Sequence, residues 1–299
     1  MKPDPAVGDR LSSGKREAMS VEVIDSVTPG YGGAPAPSRP SAVRQCWVLA
    51  LRLVRPSVRN GEVLMAVLAP TVFTIGFYIP LNRVMSFVGH GSGSYAQFLM
   101  PMIVMQAVAF CATTAAFRSA SDARDGLDTR FATMPMPLIA PLVARTAAVL
   151  YRTAISLTAA VVCGYVIGFR FYGSWWQTAA FVVFALALGV LLGALGDLAG
   201  GLSGSPEAAT QMLVLPQLIL GMVSTGFVPA FQFPAWMRGF ARNQPVSQFV
   251  GVMRALAGDR PGVPPPVTWS LLGPGLLWTL AGLGVGGAAV ILQAVRRQR

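Results

Sequence analysis

Charged side chains are scarce in this sequence. Asp, Glu, Lys and Arg make up 12% of its 299 residues, about half the share of roughly 25% found in soluble domains. Hydrophobic residues make up 54%, and the mean hydropathy is +0.57. Because so little charge cannot cover a water-facing surface, the composition disfavours a secreted enzyme, a disordered protein and a free nucleic-acid-binding protein. It predicts a polytopic membrane protein built from α-helices.

Histidine and cysteine are also rare. The chain has one histidine, His90, and three cysteines without CxxC or Cys/His spacing, so neither a disulfide framework nor a metal site is predicted. The GLSG sequence at 201–204 matches the serine motif of rhomboid-type proteases, but Ser203 and His90 are predicted on opposite sides of the membrane and cannot act together. Residues 8–15 lack the P-loop spacing, and Arg16 stands where Ser or Thr would bind Mg²⁺. No catalytic residue, cofactor or metal is therefore assigned to this chain.

The first 61 residues divide into two predicted segments. Residues 1–40 are polar and end in a Pro/Gly/Ser-rich stretch, which predicts a disordered cytoplasmic tail. Residues 41–61 carry four arginines that fall within an arc of about 80° on a helix, namely Arg44, Arg52, Arg55 and Arg59. This pattern predicts an amphipathic helix in the membrane interface. An extension of the first membrane span is the alternative.

The remaining sequence, 62–299, is predicted to form one transmembrane domain. Its apolar stretches are long enough to cross a bilayer core of about 30 Å, which takes about 20 residues. The six predicted spans are 63–82, 95–117, 147–168, 176–196, 208–229 and 270–295.

The distribution of basic residues predicts both termini in the cytoplasm. With this orientation the inner segments hold 16 of the 23 Lys and Arg residues and the outer segments hold six, and basic loops favour the cytoplasmic side of the plasma membrane. The last one, Arg152, lies in the third span and is expected to snorkel to the cytoplasmic interface. Glu62, Asp197 and Glu207 are expected to cap helices or to face the same interface.

A long, partly apolar segment joins the last two spans on the predicted outer side. One helix-like piece begins at Pro234, and a second follows Pro245 with apolar residues at helical spacing. Both are too short to span, so they are predicted to be helices that dip into the outer leaflet. The candidate outer-gate residues on them are Trp236, Phe240, Phe249 and Met253.

The loop at 121–137, SDARDGLDTRFATMPMP, is the charge-dense stretch between spans. Its mixed charges and central glycine predict a short helix that docks on a partner protein. An ordinary solvated loop is the alternative. The candidate contact residues are Asp122, Arg124, Asp125, Gly126, Leu127, Arg130, Phe131 and Pro135.

Two regions resemble the ABC-2 type permeases of ATP-binding-cassette exporters. They are RDGLDTRFATMP at 124–135 and GMVSTGFVPAFQFPAWMRGFARNQPVSQFVGVMRAL at 221–256, and the likeness extends over about 41–299. VRNQPVSQFV, LRLVRPSVRNGEVL and CGYVIGFRF look most like the daunorubicin-resistance permeases of actinobacteria, including the mycobacterial branch associated with phthiocerol dimycocerosate-type lipid export. The resemblance implies six spans, a connecting helix, a cytoplasmic coupling helix and outer re-entrant helices.

The resemblance also implies partners and a transport path. A separate ATPase subunit would bind ATP and Mg²⁺, and a second permease chain, identical or related, would complete the cleft for an antibiotic or a complex envelope lipid. No nucleic acid is expected to bind. Candidate lining residues on spans two and five are Phe110, Phe117, Met212, Gln217 and Met222, although core packing is an alternative role for each. A secondary carrier and a non-transporting scaffold are the competing functions.

The predicted topology can be tested with His90→Cys and Ser203→Cys, each in a background without the three native cysteines. An impermeant maleimide added to intact cells should label position 90, and position 203 should react only after the membrane is permeabilised, because the two lie on opposite sides. Labelling of both positions from outside would contradict the six-span prediction.

Overall fold

The computed structural model describes residues 48, 51, 61–87, 94–127, 139–258 and 268–296. The regular structure within these ranges is helical throughout, without a strand. The predicted tail over 1–40 lies outside the described residues. The predicted amphipathic helix over 41–61 also does, apart from Val48, Leu51 and Gly61.

Nine α-helices make up the described part of the chain. They are α1 Glu62–Phe73, α2 Ile79–Phe87, α3 Tyr95–Arg124, α4 Ile139–Ile167, α5 Trp175–Leu202, α6 Pro206–Met222, α7 Ala235–Asn243, α8 Pro245–Ala257 and α9 Trp269–Arg296. A π-helical turn, Thr74–Tyr78, joins α1 to α2, and a 3₁₀ turn, Ala230–Gln232, precedes α7.

Five helices in the described residues are long and apolar enough to cross a membrane. They are Glu62–Val84, Tyr95–Arg124, Ala140–Ile167, Trp175–Leu202 and Trp269–Leu292. The all-α membrane fold predicted from composition is thus confirmed. The predicted span at 208–229 corresponds to α6, a helix of 17 residues and about 26 Å at 1.5 Å per residue. α6 ends at Met222, and the residues that follow form turns. Ser224 Oγ donates to the carbonyl oxygen of Gly221 at 2.7 Å at this helix end.

The second and third spans extend further than their apolar runs. α3 continues seven residues beyond the predicted end at 117, and α4 begins eight residues before the predicted start at 147. Charged side chains on these extensions pair with each other, since Arg145 Nη2 lies 3.4 Å from Asp122 Oδ2. The pairing explains why helical structure persists where hydropathy falls.

α3 occupies the centre of the helix bundle, and most of its length is buried against α1, α4, α5 and α6. Glycines on α5 allow the closest of these contacts. A Cβ at Gly196 would meet the carbonyl oxygen of Ala112, and a Cβ at Gly200 would meet that of Ala116. Ser119 Oγ donates to the carbonyl oxygen of Asp197 at 2.9 Å beside them. Small residues and short hydrogen bonds of this kind are what bring membrane helices together.

Gly196→Ala tests this packing. The added methyl group would collide with the α3 backbone, which cannot yield as a side chain would, so the free energy of unfolding should fall by about 1–3 kcal/mol. Gly284→Ala is the matched control, because a Cβ there meets nothing within 4 Å and alanine favours a helix. Thermal unfolding of the purified permease in detergent gives the comparison, and equal stability of the two variants would contradict the packing argument.

Candidate functional site

The two helices proposed to line the transport path, α3 and α6, lie side by side. Gln217 on α6 donates from Nε2 to Gln106 Oε1 on α3 at 3.2 Å, and Gln106 is only 5% exposed. A Cβ at Gly221 would lie 3.2 Å from Gln106 Nε2, so the helices are also close at the next turn. This amide pair places a polar contact in the middle of an otherwise apolar helix interface.

The five candidate path residues do not form one surface within the chain. Phe110 packs on Phe73 of α1, with ring centroids 5.4 Å apart, and Phe117 is exposed near the far end of α3. Met212 and Met222 lie on the outward face of α6. Of these five residues, Gln217 is the one whose side chain forms the hydrogen bond between α6 and α3.

α6 presents an apolar face that no other described helix covers. Five of its side chains are more than half exposed, namely Met212, Leu215, Leu218, Ile219 and Met222. Among the described helices α6 packs on α3 and α5, which leaves this face for lipid or for another chain.

Two short helices, α7 and α8, confirm the secondary structure predicted after Pro234 and Pro245. α8 contacts the N-terminal end of α3. Polar side chains tie them to the bundle: Gln244 Nε2 donates to the carbonyl oxygen of Leu220 at 3.0 Å, and Ser247 Oγ accepts from the amide of Thr225 at 3.0 Å. These bonds satisfy backbone groups where α6 ends and α7 meets α8.

Arg254 of α8 reaches further into the bundle. Its Nη2 donates to the carbonyl oxygen of Phe98 at 3.0 Å, and its guanidinium lies 3.9 Å from the centroid of the Phe98 ring. On α3, Gln97 Nε2 donates to the carbonyl oxygens of Arg170 and Gly258 at 2.8 and 2.5 Å. Sequence reasoning missed Gln97 and Arg254, although both stand out as polar residues beside apolar runs.

The four candidate outer-gate residues lie in two different environments. Trp236 is 79% exposed and Phe240 is also exposed, both on α7. Phe249 and Met253 are buried in the core, where the Phe249 ring lies 6.4 Å from that of Phe184 on α5. A charge at either buried position would disturb folding, so the exposed pair is the better target for testing a gate.

The candidate coupling segment begins within α3. Asp122 and Arg124 belong to its last turns, and Asp122 pairs with Arg145 of α4. Gly126 follows with a φ of +67°, a backbone conformation that favours glycine at a helix C-terminus. Leu127 is half-buried after the turn. Arg130, Phe131 and Pro135 lie outside the described residues.

A cluster of buried charge lies at this same end of the bundle. Glu62 Oε1 is 2.6 Å from Arg118 Nε, and Glu62 Oε2 is 3.4 Å from Arg152 Nη1. One carboxylate thus joins α1, α3 and α4. Arg152 is 3% exposed, so neighbouring helices cover its guanidinium, and its expected position at the cytoplasmic interface stays a prediction. Glu62 lies in the first turn of α1, a helix end as expected, and its carboxylate is held between two guanidinium groups. Its position at the interface stays a prediction.

The long apolar helices around α3, with their polar groups paired across helix contacts, define a multi-pass helical membrane protein. The sequence matches the ABC-2 family transporter proteins over residues 64–294. The chain therefore belongs to the ABC-2 family, whose members are the membrane-spanning permeases of ABC transporters, and the resemblance drawn from 124–135 and 221–256 is confirmed.

Relatives carry the names of drug-resistance permeases. The chain is 42% identical over 248 residues to the doxorubicin resistance ABC transporter permease protein DrrB of Mycobacterium tuberculosis, which covers 81% of this chain and 86% of that protein. It is 27% identical over 235 residues to the probable doxorubicin resistance permease DrrC of the same organism, covering 79% and 82%. The daunorubicin resistance permease DrrB1 of Streptomyces coeruleorubidus is 26% identical over 196 residues, covering 64% and 66%.

Glu62→Gln tests the charge cluster. The substitution removes the negative charge that Arg152 and Arg118 share, and a buried ion pair that loses one partner typically costs about 3–5 kcal/mol of stability. Glu207→Gln, an exposed carboxylate in the first turn of α6, should cost less than about 1 kcal/mol.

The double variant Glu62→Gln with Arg152→Met separates charge from packing. It removes the buried cation together with its partner, so thermal unfolding should show part of the lost stability restored. A double variant less stable than Glu62→Gln would show that the charge balance is not what holds this end of the bundle.

Proposed function

We propose that this chain is the transmembrane subunit of an ATP-binding-cassette exporter whose ATP hydrolysis takes place on a separate subunit. The proposed cargo is an amphipathic or hydrophobic molecule, either an antibiotic or a complex cell-envelope lipid, moved outward across the plasma membrane. Membership of the ABC-2 family supports the proposal, as do relatives named for doxorubicin and daunorubicin resistance. In this proposal α6 provides a sixth crossing, both termini are cytoplasmic, and the outer helices α7 and α8 enter the outer leaflet.

The exposed apolar face of α6 is the observation that carries the proposal. A second permease chain, identical or related, would pack near this face, and the cleft between the two chains would be lined by α6 and α3. The exposed side chains on α6 are flexible methionines and leucines with one isoleucine, and the amide pair of Gln106 and Gln217 lies behind them, between α6 and α3. Such a lining favours a large apolar molecule with a few polar groups over an ion or a sugar phosphate.

The segment after α3 is the proposed contact with the ATPase. Half-buried Leu127 directly follows the Gly126 turn, and Phe131 comes four residues later, a spacing that would put both on one face of a helix. Together they would fill an apolar groove on the partner. Arg124 and Asp125, both exposed, would orient the contact and contribute little to its affinity.

Affinity purification of the tagged permease from membranes of its own host tests the assignment. An ATP-binding-cassette ATPase should be recovered with it, and inside-out vesicles containing both subunits should take up doxorubicin only when ATP is hydrolysed. Uptake that follows a proton gradient without ATP would instead identify a secondary carrier. An absence of any associated ATPase would contradict the proposed exporter.

The double variant Leu127→Ala with Phe131→Ala tests the coupling contact. Loss of two apolar anchors should weaken ATPase recovery roughly tenfold or more, as buried anchor residues usually do. Asp125→Asn is the matched control on the same segment and should change recovery by less than about threefold. Both variants are compared at equal permease expression, and unchanged recovery and substrate-stimulated hydrolysis in the double variant would place the contact elsewhere.

A further inference from the structure

A cavity separate from the α3–α6 interface lies between α1, α3 and α4. Its volume is about 370 Å³, and its walls are almost entirely apolar. It follows α1 from Glu62 to Phe73, a distance of about 16 Å at 1.5 Å per residue. Phe73 and Phe110 close one end, and Glu62 and Arg152 form the other.

The cavity has an open side along α1. Three of its lining residues, Met65, Leu68 and Val72, are exposed on the outside of the helix bundle. In a membrane protein this surface contacts lipid chains, so a lipid can enter the cavity from the bilayer without crossing a polar layer.

The polar end of the cavity has hydrogen-bond donors without acceptors. A guanidinium has five N–H donors, yet among the described residues the Arg152 side chain makes one hydrogen bond, from Nη1 to Glu62 Oε2 at 3.4 Å. Its Nε is buried without a partner. Glu62 is within hydrogen-bond distance of Nη1 but not of Nε, so among the described residues the Nε–H has no acceptor. Buried donors are almost always satisfied by protein, ordered water or a ligand, so an acceptor from outside the described residues is expected beside Arg152.

We propose that this cavity binds a membrane phospholipid, with a phosphate oxygen on Arg152 and one acyl chain along α1. A phosphate provides several acceptor oxygens, and the planar guanidinium suits it better than an ammonium does. The apolar groove between α1 and Phe110 accepts the chain, and the exposed side leaves room for the second chain in the bilayer. The site is independent of the ATPase and of the proposed export activity.

Native mass spectrometry of the purified full-length permease in detergent tests the site. The probes are dioleoylphosphatidylglycerol and dioleoylglycerol, which share their acyl chains and differ in the phosphate. We expect the phospholipid to be retained at least tenfold more strongly and to raise the thermal unfolding temperature. Equal retention of the two would overturn the proposal, and so would equal stabilisation by glycerol phosphate, which would indicate a soluble anion in place of a lipid.

Two pairs of variants locate the bound lipid. Arg152→Lys keeps the charge but loses the planar donor set, so retention of the phospholipid should fall at least tenfold. Arg145→Lys lies on the same helix outside the cavity lining and should leave retention unchanged.

Ala69→Trp fills the cavity without changing any charge, and Val67→Trp adds the same bulk on the exposed side of α1, outside the lining. Retention should be lost only in the first of these. If Ala69→Trp binds phospholipid as the unaltered permease does, the lipid does not occupy this cavity.

Discussion

Close packing around α3 is the constraint on which the rest of this structure depends. Apolar side chains gain little by leaving lipid for another helix, so membrane helices associate through surface fit and hydrogen bonds. Glycines on α5 provide the fit, because at Gly196 and Gly200 the α3 backbone occupies the space that a Cβ would need. Polar groups along α3 are paired as it passes its neighbours: Gln97 with backbone carbonyls, Gln106 with Gln217, and Ser119 with the backbone of Asp197.

The two ends of this bundle are held by different chemistry. Ion pairs centred on Glu62 join α1, α3 and α4 at one end. At the other end, Arg254, Gln97 and Gln244 donate to the backbone carbonyls of Thr225, Arg170 and Leu220, which lie in turns or in the last turn of a helix. Between these two ends α6 packs on two neighbours and leaves an apolar face exposed. The described residues thus form a bundle packed around α3, with exposed apolar faces on α6, α1 and α9.

Sequence patterns predicted the helices better than they predicted the roles of side chains. Long apolar runs identified the five long helices because membrane crossing requires length and hydropathy together. Those runs could not show where α3 ends or where α4 begins, since charged residues there lower the hydropathy although Asp122 and Arg145 pair with each other. The helical spacing after Pro245 identified the face of α8 that carries Phe249 and Met253, but periodicity alone cannot separate a buried face from a gate. The partner of Arg152, Glu62, is 90 residues away in sequence, and no local pattern connects the two.

α1 runs from the ion pairs of Glu62 to a group of aromatic rings around Phe73 and Phe77. A π-helical turn follows α1 at this aromatic group. The π turn at Thr74–Tyr78 interrupts the α-helical hydrogen bonding between α1 and α2, and such turns are frequent at functional sites. Phe73 packs on Phe110, with ring centroids 5.4 Å apart, whereas Phe77 stacks on Phe227 at 4.6 Å. Phe227 follows the end of α6. α1 and the π turn after it therefore contact both α3 and the segment that leads from α6 to α7, each through a pair of aromatic rings.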